Sequence, residues 1–140
     1  MKRRQRAGRV AFGLLATVLG ACSAPPERSE AVVAEIGGIV IRNDLAYPVH
    51  DVMAEVPATG RFAGCGMILR RSQCTIAFPA SAYRHDPLIV RWVEYGESHA
   101  TDDILLEAPT DAGKPAGWWL EVVIFAPGQA GARLIPPPAP

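Results

Sequence analysis

Three cysteines, three histidines and three tryptophans in 140 residues leave little material for metal or redox chemistry. No C-x-x-C occurs, and His50, His85 and His99 keep no ligand spacing with the thiols, so neither a zinc site nor a dithiol redox site is read. No G-x-G-x-x-G and no P-loop lysine is present: Gly37-Gly38 and Gly64-Cys65-Gly66 are no phosphate cradle. Sustained 3.6-residue periodicity is also missing, which excludes a helical bundle, and a short helix over Glu27–Glu35 is the one helical reading. Net charge is zero, from 14 basic and 14 acidic side chains. That balance conceals an asymmetry, because Lys2, Arg3, Arg4, Arg6 and Arg9 precede the first acid. The remaining nine basic residues face all fourteen acids, so the body is acidic and nucleic acid is excluded as a partner.

What the chain does have begins at its amino end. Met1–Arg9 is basic, and Val10–Gly20 is an apolar run of about a dozen residues, too short to span a bilayer as a helix. Basic and apolar regions in this order form an export signal. The junction reads Leu19-Gly20-Ala21-Cys22. This resembles the lipobox of bacterial lipoproteins: Leu at −3, small residues at −2 and −1, then a Cys whose thiolate takes up a diacylglyceryl group. The resemblance covers residues 1–22 and implies a signal peptide over 1–21 and lipidation at Cys22. Acyl chains on that thiol anchor the protein to a membrane at about 0.8 kcal/mol per buried CH₂. Ser23 follows where Asp does not, which resembles the outer-membrane sorting default, facing the periplasm. Arg3-Arg4 lacks the apolar residues of a twin-arginine signal and reads as plain charge.

Residues 22–36 then form a flexible tether, rich in Pro, Glu and Ser, and residues 128–140 a Pro-rich tail ending in Pro136-Pro137-Pro138-Ala139-Pro140. Between them, 37–127 reads as strands. The segments are Gly38–Arg42, Pro48–Val56, Arg61–Leu69, Gln73–Phe78, Leu88–Tyr95, His99–Glu107 and Trp118–Ala126. Asn43-Asp44, Pro57–Gly60 and the Gly96 turn punctuate them, and Pro79–Pro87 is an irregular connection. Seven short strands in about ninety residues predict an all-β fold, a single β-sandwich resembling the immunoglobulin-like or fibronectin-like arrangement, with an open barrel as the alternative. Trp92 follows both body cysteines, so the immunoglobulin cysteine–tryptophan–cysteine order is absent.

Cys65 and Cys74 remain after Cys22 is assigned to lipid, and an even pair in an oxidising compartment predicts a disulfide. If Arg61–Leu69 and Gln73–Phe78 pair as a hairpin turning at Leu69-Arg70, the two cysteines face each other. No catalytic constellation is found. His50-Asp51 and His85-Asp86 resemble the His-Asp pairs of metal phosphohydrolases but lack further ligands, and His99 with Asp102 and Asp103 is a thin set. Gly96–Ala100 lacks the final Gly and following helix of a nucleophile elbow. No catalytic residue, cofactor or metal is therefore expected. Trp118 and Trp119 are consecutive in a strand and must face opposite sides of the sheet. An outward tryptophan from Trp92, Trp118 or Trp119, joined by Tyr83 and Arg84, is a candidate binding surface for a protein or a sugar ring. The reading is a non-enzymatic, lipid-anchored envelope lipoprotein: a binding or assembly module in the periplasm with a protein partner. Small lipoproteins of envelope machines, including the β-sandwich lipoprotein of type VI secretion, have a similar architecture. The alternative is a small periplasmic hydrolase or carbohydrate-binding protein.

Overall fold

Period-two alternation sets the strands and assigns their faces. In Val49–Val56, Val52 and Ala54 are buried while Met53 and Glu55 are half-exposed. The computed structural model describes residues 32–108 and 117–139. Among these it holds eight strands: β1 (Ala34–Asn43), β2 (Val49–Val56), β3 (Arg61–Ile68), β4 (Ser72–Tyr83), β5 (Ile89–Glu94), β6 (Glu97–Ala100), β7 (Trp118–Ala126) and β8 (Gln129–Ile135). They form two four-stranded sheets, ordered β4-β1-β7-β8 and β3-β2-β5-β6, packed as a sandwich. All neighbours are antiparallel except β1 and β7, which run parallel. The all-β expectation holds, with one strand more than the seven expected. The signal segment, Cys22 and most of the tether lie outside the described residues.

The core is the sheet-to-sheet interface. Ile39, Ile41, Val122 and Ile124 from one sheet meet Val49, Val52, Val90 and Trp92 from the other, all essentially buried. Burial of such aliphatic side chains contributes about 1.5–3 kcal/mol each. Tyr95 and Gly96, both at positive φ (48° and 83°), make the two-residue turn that joins β5 to β6. Two left-handed residues in succession match the twist of the flanking strands.

The structure corrects several boundaries. Residues 128–140 were expected to be a tail, yet β8 occupies most of them and packs Ala130, Ala132 and Leu134 against the core. Small residues and two glycines in 126–131 hid the alternation. β1 begins at Ala34, inside the expected tether, and Ala34 and Glu35 pair with Tyr83 and Ala82 as strand, not helix. β4 continues through Pro79 to Tyr83, because an edge strand tolerates a residue without an N–H. The strand expected over His99–Glu107 shortens to β6, followed only by the Leu88–Ile104 bridge.

The disulfide is present, but not for the expected reason. β3 pairs with β2 and β4 pairs with β1, so the two strands belong to different sheets and form no hairpin ladder. Cys65–Cys74, with Cα atoms 6.6 Å apart, joins the two sheets at their shared edge.

Candidate functional site: an apolar cleft at the open end of the sandwich

The two ends of the sandwich differ in chemistry. At one end, buried polar side chains tie the loops together. Asn43 is fully buried: its Nδ2 donates to the carbonyls of Tyr47 (2.8 Å), Ile68 (3.2 Å) and Leu69 (3.1 Å), and its Oδ1 accepts from Leu45 N (3.0 Å). Glu94 is 4% exposed. Its Oε1 accepts from Trp92 Nε1 (2.6 Å) and Gly128 N (3.1 Å), and its Oε2 accepts from the Tyr47 hydroxyl (2.9 Å). Burial acts to raise the Glu94 pKa, but these three donors and the nearby His99 outweigh it and hold the group below its usual value. The Tyr47 hydroxyl is pushed up by burial and by its bond to Glu94. His99 stacks on Trp92 with ring centroids 5.6 Å apart. This is a structural lock, with every buried polar side-chain atom among the described residues satisfied.

The opposite end is open. From the shared turn at Leu69–Arg71, β3 and β4 run past the disulfide as the facing edges of the two sheets, and a cleft of about 700 Å³ lies between them. β4 helps to make it. Ile36 pairs with Ser81 and Gly38 with Ala77, so two steps of β1 face four of β4, and Phe78, Pro79 and Ala80 are left out of the ladder as a bulge. The floor is aliphatic, from Ile36, Ile39, Ala54, Leu88 and Leu120, with Ile76, Phe78 and Ala63 on the walls. The polar lining residues Thr59, Arg61, Ser81 and Asp86 are exposed or half-buried. Tyr83 lines the cleft from a buried position, where its hydroxyl accepts from Leu106 N (3.1 Å), and burial raises its pKa.

A third surface lies on the outer face of the β4-β1-β7-β8 sheet. A Cβ on Gly38 would sit 2.5 Å from the Trp119 ring, so the ring lies directly on the glycine. Trp118 turns the other way and packs against the core. Beside Trp119, Glu121 is buried between Arg42 (3.0 Å) and Arg133. Arg42 also binds Asp44 (2.9 Å), which with Glu121 raises the guanidinium pKa. Phe125 is exposed on the same strand.

The expected binding residues therefore separate. Trp92 is 1% exposed and Tyr83 6%, so neither presents an outward ring: their partners are Glu94 and Leu106 inside the fold, and Tyr83 meets solvent only through the cleft it lines. Trp118 is half-buried on the core side, Trp119 half-buried on the outer face, and Arg84 exposed. The structure does not gather them into one patch. His50 and His85 are exposed, with Asp51 and His85 at positive φ, and among the described residues no group of three metal-ligating side chains converges. Sequence reading missed the cleft. Its signal was the small and aliphatic run from Thr75 to Ala82 interrupted by Pro79.

Comparison of the chain with protein-family models, with curated proteins and with solved structures finds no match. The class established is an all-β, two-sheet sandwich with an inter-sheet disulfide.

Proposed function

We propose that this chain is a lipid-anchored lipoprotein of a bacterial envelope, whose immunoglobulin-like sandwich serves as a non-enzymatic binding or assembly module facing the periplasm. The observation that carries the reading is Leu19-Gly20-Ala21-Cys22 at the end of a basic and then apolar leader. Two features of the folded part support it. A disulfide fits an oxidising compartment, and the floor of the cleft is aliphatic, with its polar lining residues Thr59, Arg61, Ser81 and Asp86 exposed or half-buried. The exposed and half-buried apolar residues around Trp119 and Phe125 supply the face for a protein partner.

The test is Cys22→Ala. The wild-type chain is expected in the outer-membrane fraction, with an intact mass showing cleavage before Cys22 and added acyl chains. The variant is expected to lose both the acyl mass and its membrane retention. Retention of an unacylated variant would overturn the anchor. A photoreactive residue at position 119 is expected to capture one envelope protein in living cells. Failure there, with the same residue at 125 also silent, would remove the outer face as the docking surface.

A further inference from the structure

We propose that the cleft between β3 and β4 is a lipid site, taking one acyl chain of a phospholipid from the membrane to which the protein is tethered. The proposal rests on the Cys22 anchor for its supply of lipid and on the cleft itself for its chemistry.

The walls select the ligand class. Ile36, Ile39, Ile76, Phe78, Leu88 and Leu120 offer neither donors nor acceptors. A hydrocarbon chain leaves nothing unpaired against them, whereas a sugar or peptide group would lose its hydrogen bonds to water without replacement. The volume, about 700 Å³, lies within the range of small-molecule sites. A β-strand from a protein partner is the competing occupant, and the edge argues against it. Strand addition requires a regular unpaired backbone, but β4 bulges at Phe78–Ala80 and Pro79 carries no N–H. Arg61 and Asp86, one of each sign, both line the cleft, so the charged lining residues do not select an anionic headgroup over a zwitterionic one.

The path of the chain puts this site beside the membrane. β1 enters the fold at the open end: Val33 N donates to Tyr83 O (2.8 Å), and Tyr83 lines the cleft. Val32 lies ten residues after Cys22, a stretch that spans at most about 33–36 Å. Val32, at the cleft end of the fold, therefore stays within that distance of the acylated thiol, which brings the cleft within reach of the bilayer. Moving an acyl chain from bilayer to cleft exchanges one apolar surrounding for another, so the favourable term is the covering of the cleft's own water-exposed wall. Exchange with the bilayer is accordingly reversible.

The test uses the acylated full chain in vesicles of phosphatidylethanolamine and phosphatidylglycerol, with a tracer phospholipid bearing a diazirine midway along one acyl chain. Irradiation followed by peptide mass mapping is expected to place adducts on Ile76, Phe78 and Leu88. Ala63→Trp, which fills the cleft from β3, is expected to lower those adducts at least fivefold. Ser81→Trp blocks the same space from β4 should the first variant fail to fold, and melting temperatures report folding for each. Tyr95→Ser, in the exposed turn at the opposite end of the sandwich, is expected to leave the adducts unchanged. Adducts confined to residues 22–31, or spread evenly over exposed apolar residues, would overturn the site. So would cleft labelling seen only when the diazirine is carried by the acyl groups on Cys22, since the occupant would then be the anchor itself. Intact mass of the same sample reports acylation separately: an unacylated chain with a labelled cleft removes the anchor and keeps the site.

Discussion

Glu94 shows how one charged residue is kept inside a small core. Three donors converge on its carboxylate from β5, the β1–β2 loop and the β7–β8 turn, so it joins segments far apart in sequence. Glu94→Ala would leave Trp92 Nε1, the Tyr47 hydroxyl and Gly128 N without their acceptor, and is expected to cost roughly 3–5 kcal/mol in denaturant unfolding. The pH dependence has a definite sign. The folded pKa lies below the unfolded value, so Glu94's contribution is complete above about pH 4.3 and is lost as pH falls through the folded pKa. Thermal melts from pH 7 to 3 are expected to show an acid limb that Glu94→Gln flattens. An unchanged limb would assign acid unfolding to other carboxylates. Gly38 illustrates a steric requirement instead. With the Trp119 ring lying where its Cβ would be, Gly38→Val is expected to displace the ring and cost about 1–3 kcal/mol. A red shift of tryptophan fluorescence in the variant would report the displacement.

At the scale of elements, the β3–β4 pair carries the lesson about what a single sequence reveals. Period-two alternation marked β2, and dense β-branched and aromatic runs marked β5 and β7. β3 and β4 are edges, and their short turn suggested a hairpin that the structure replaces with pairing to β2 and β1. Local spacing brought the two cysteines together either way, so the bond was legible while its role was not. Asn43 reads as a turn former, and the structure adds that it is fully buried with all its hydrogen bonds inside. Turn composition does not report burial. The tryptophan pair was legible as opposed faces, but only the Gly38 contact tells which one is outward. Reducing Cys65–Cys74, or the double change Cys65→Ala/Cys74→Ala, opens a loop of nine residues' separation. The expected loss is about 2.5–3 kcal/mol in the chain-entropy account. Native-state hydrogen exchange should locate the effect in β3 and β4, the two edges that the bond clips together. Uniform faster exchange across β1, β2, β5 and β7 would mean that the bond supports the whole core instead.

The whole molecule is polar and locked at one end, apolar and open at the other, and both chain ends leave from the open end. Ala34 pairs with Tyr83 there, and Ile135 pairs with Trp119 at the start of β7. This arrangement makes β8 part of the sandwich where the sequence suggested a Pro-rich flexible tail. Leu134, Ala132 and Ala130 cover the core beside β7, and Arg133 shields Glu121, whose other partner is Arg42. Removal of residues 129–140 would expose β7 as an unprotected edge rich in Val, Ile, Phe and Trp, the composition most prone to pair with another chain. Removal of 136–140 alone takes away residues that are exposed wherever they are described and belong to no strand. The shorter deletion is therefore expected to leave the melting temperature within about 2–4 °C of the parent, since such surface changes stay near ±0.5 kcal/mol. The longer one is expected to yield an unfolded or aggregated chain. Light scattering and circular dichroism on the two deletions, expressed side by side, separate these outcomes. A soluble, cooperatively melting protein without 129–140 would show that β8 adds nothing the other seven strands require.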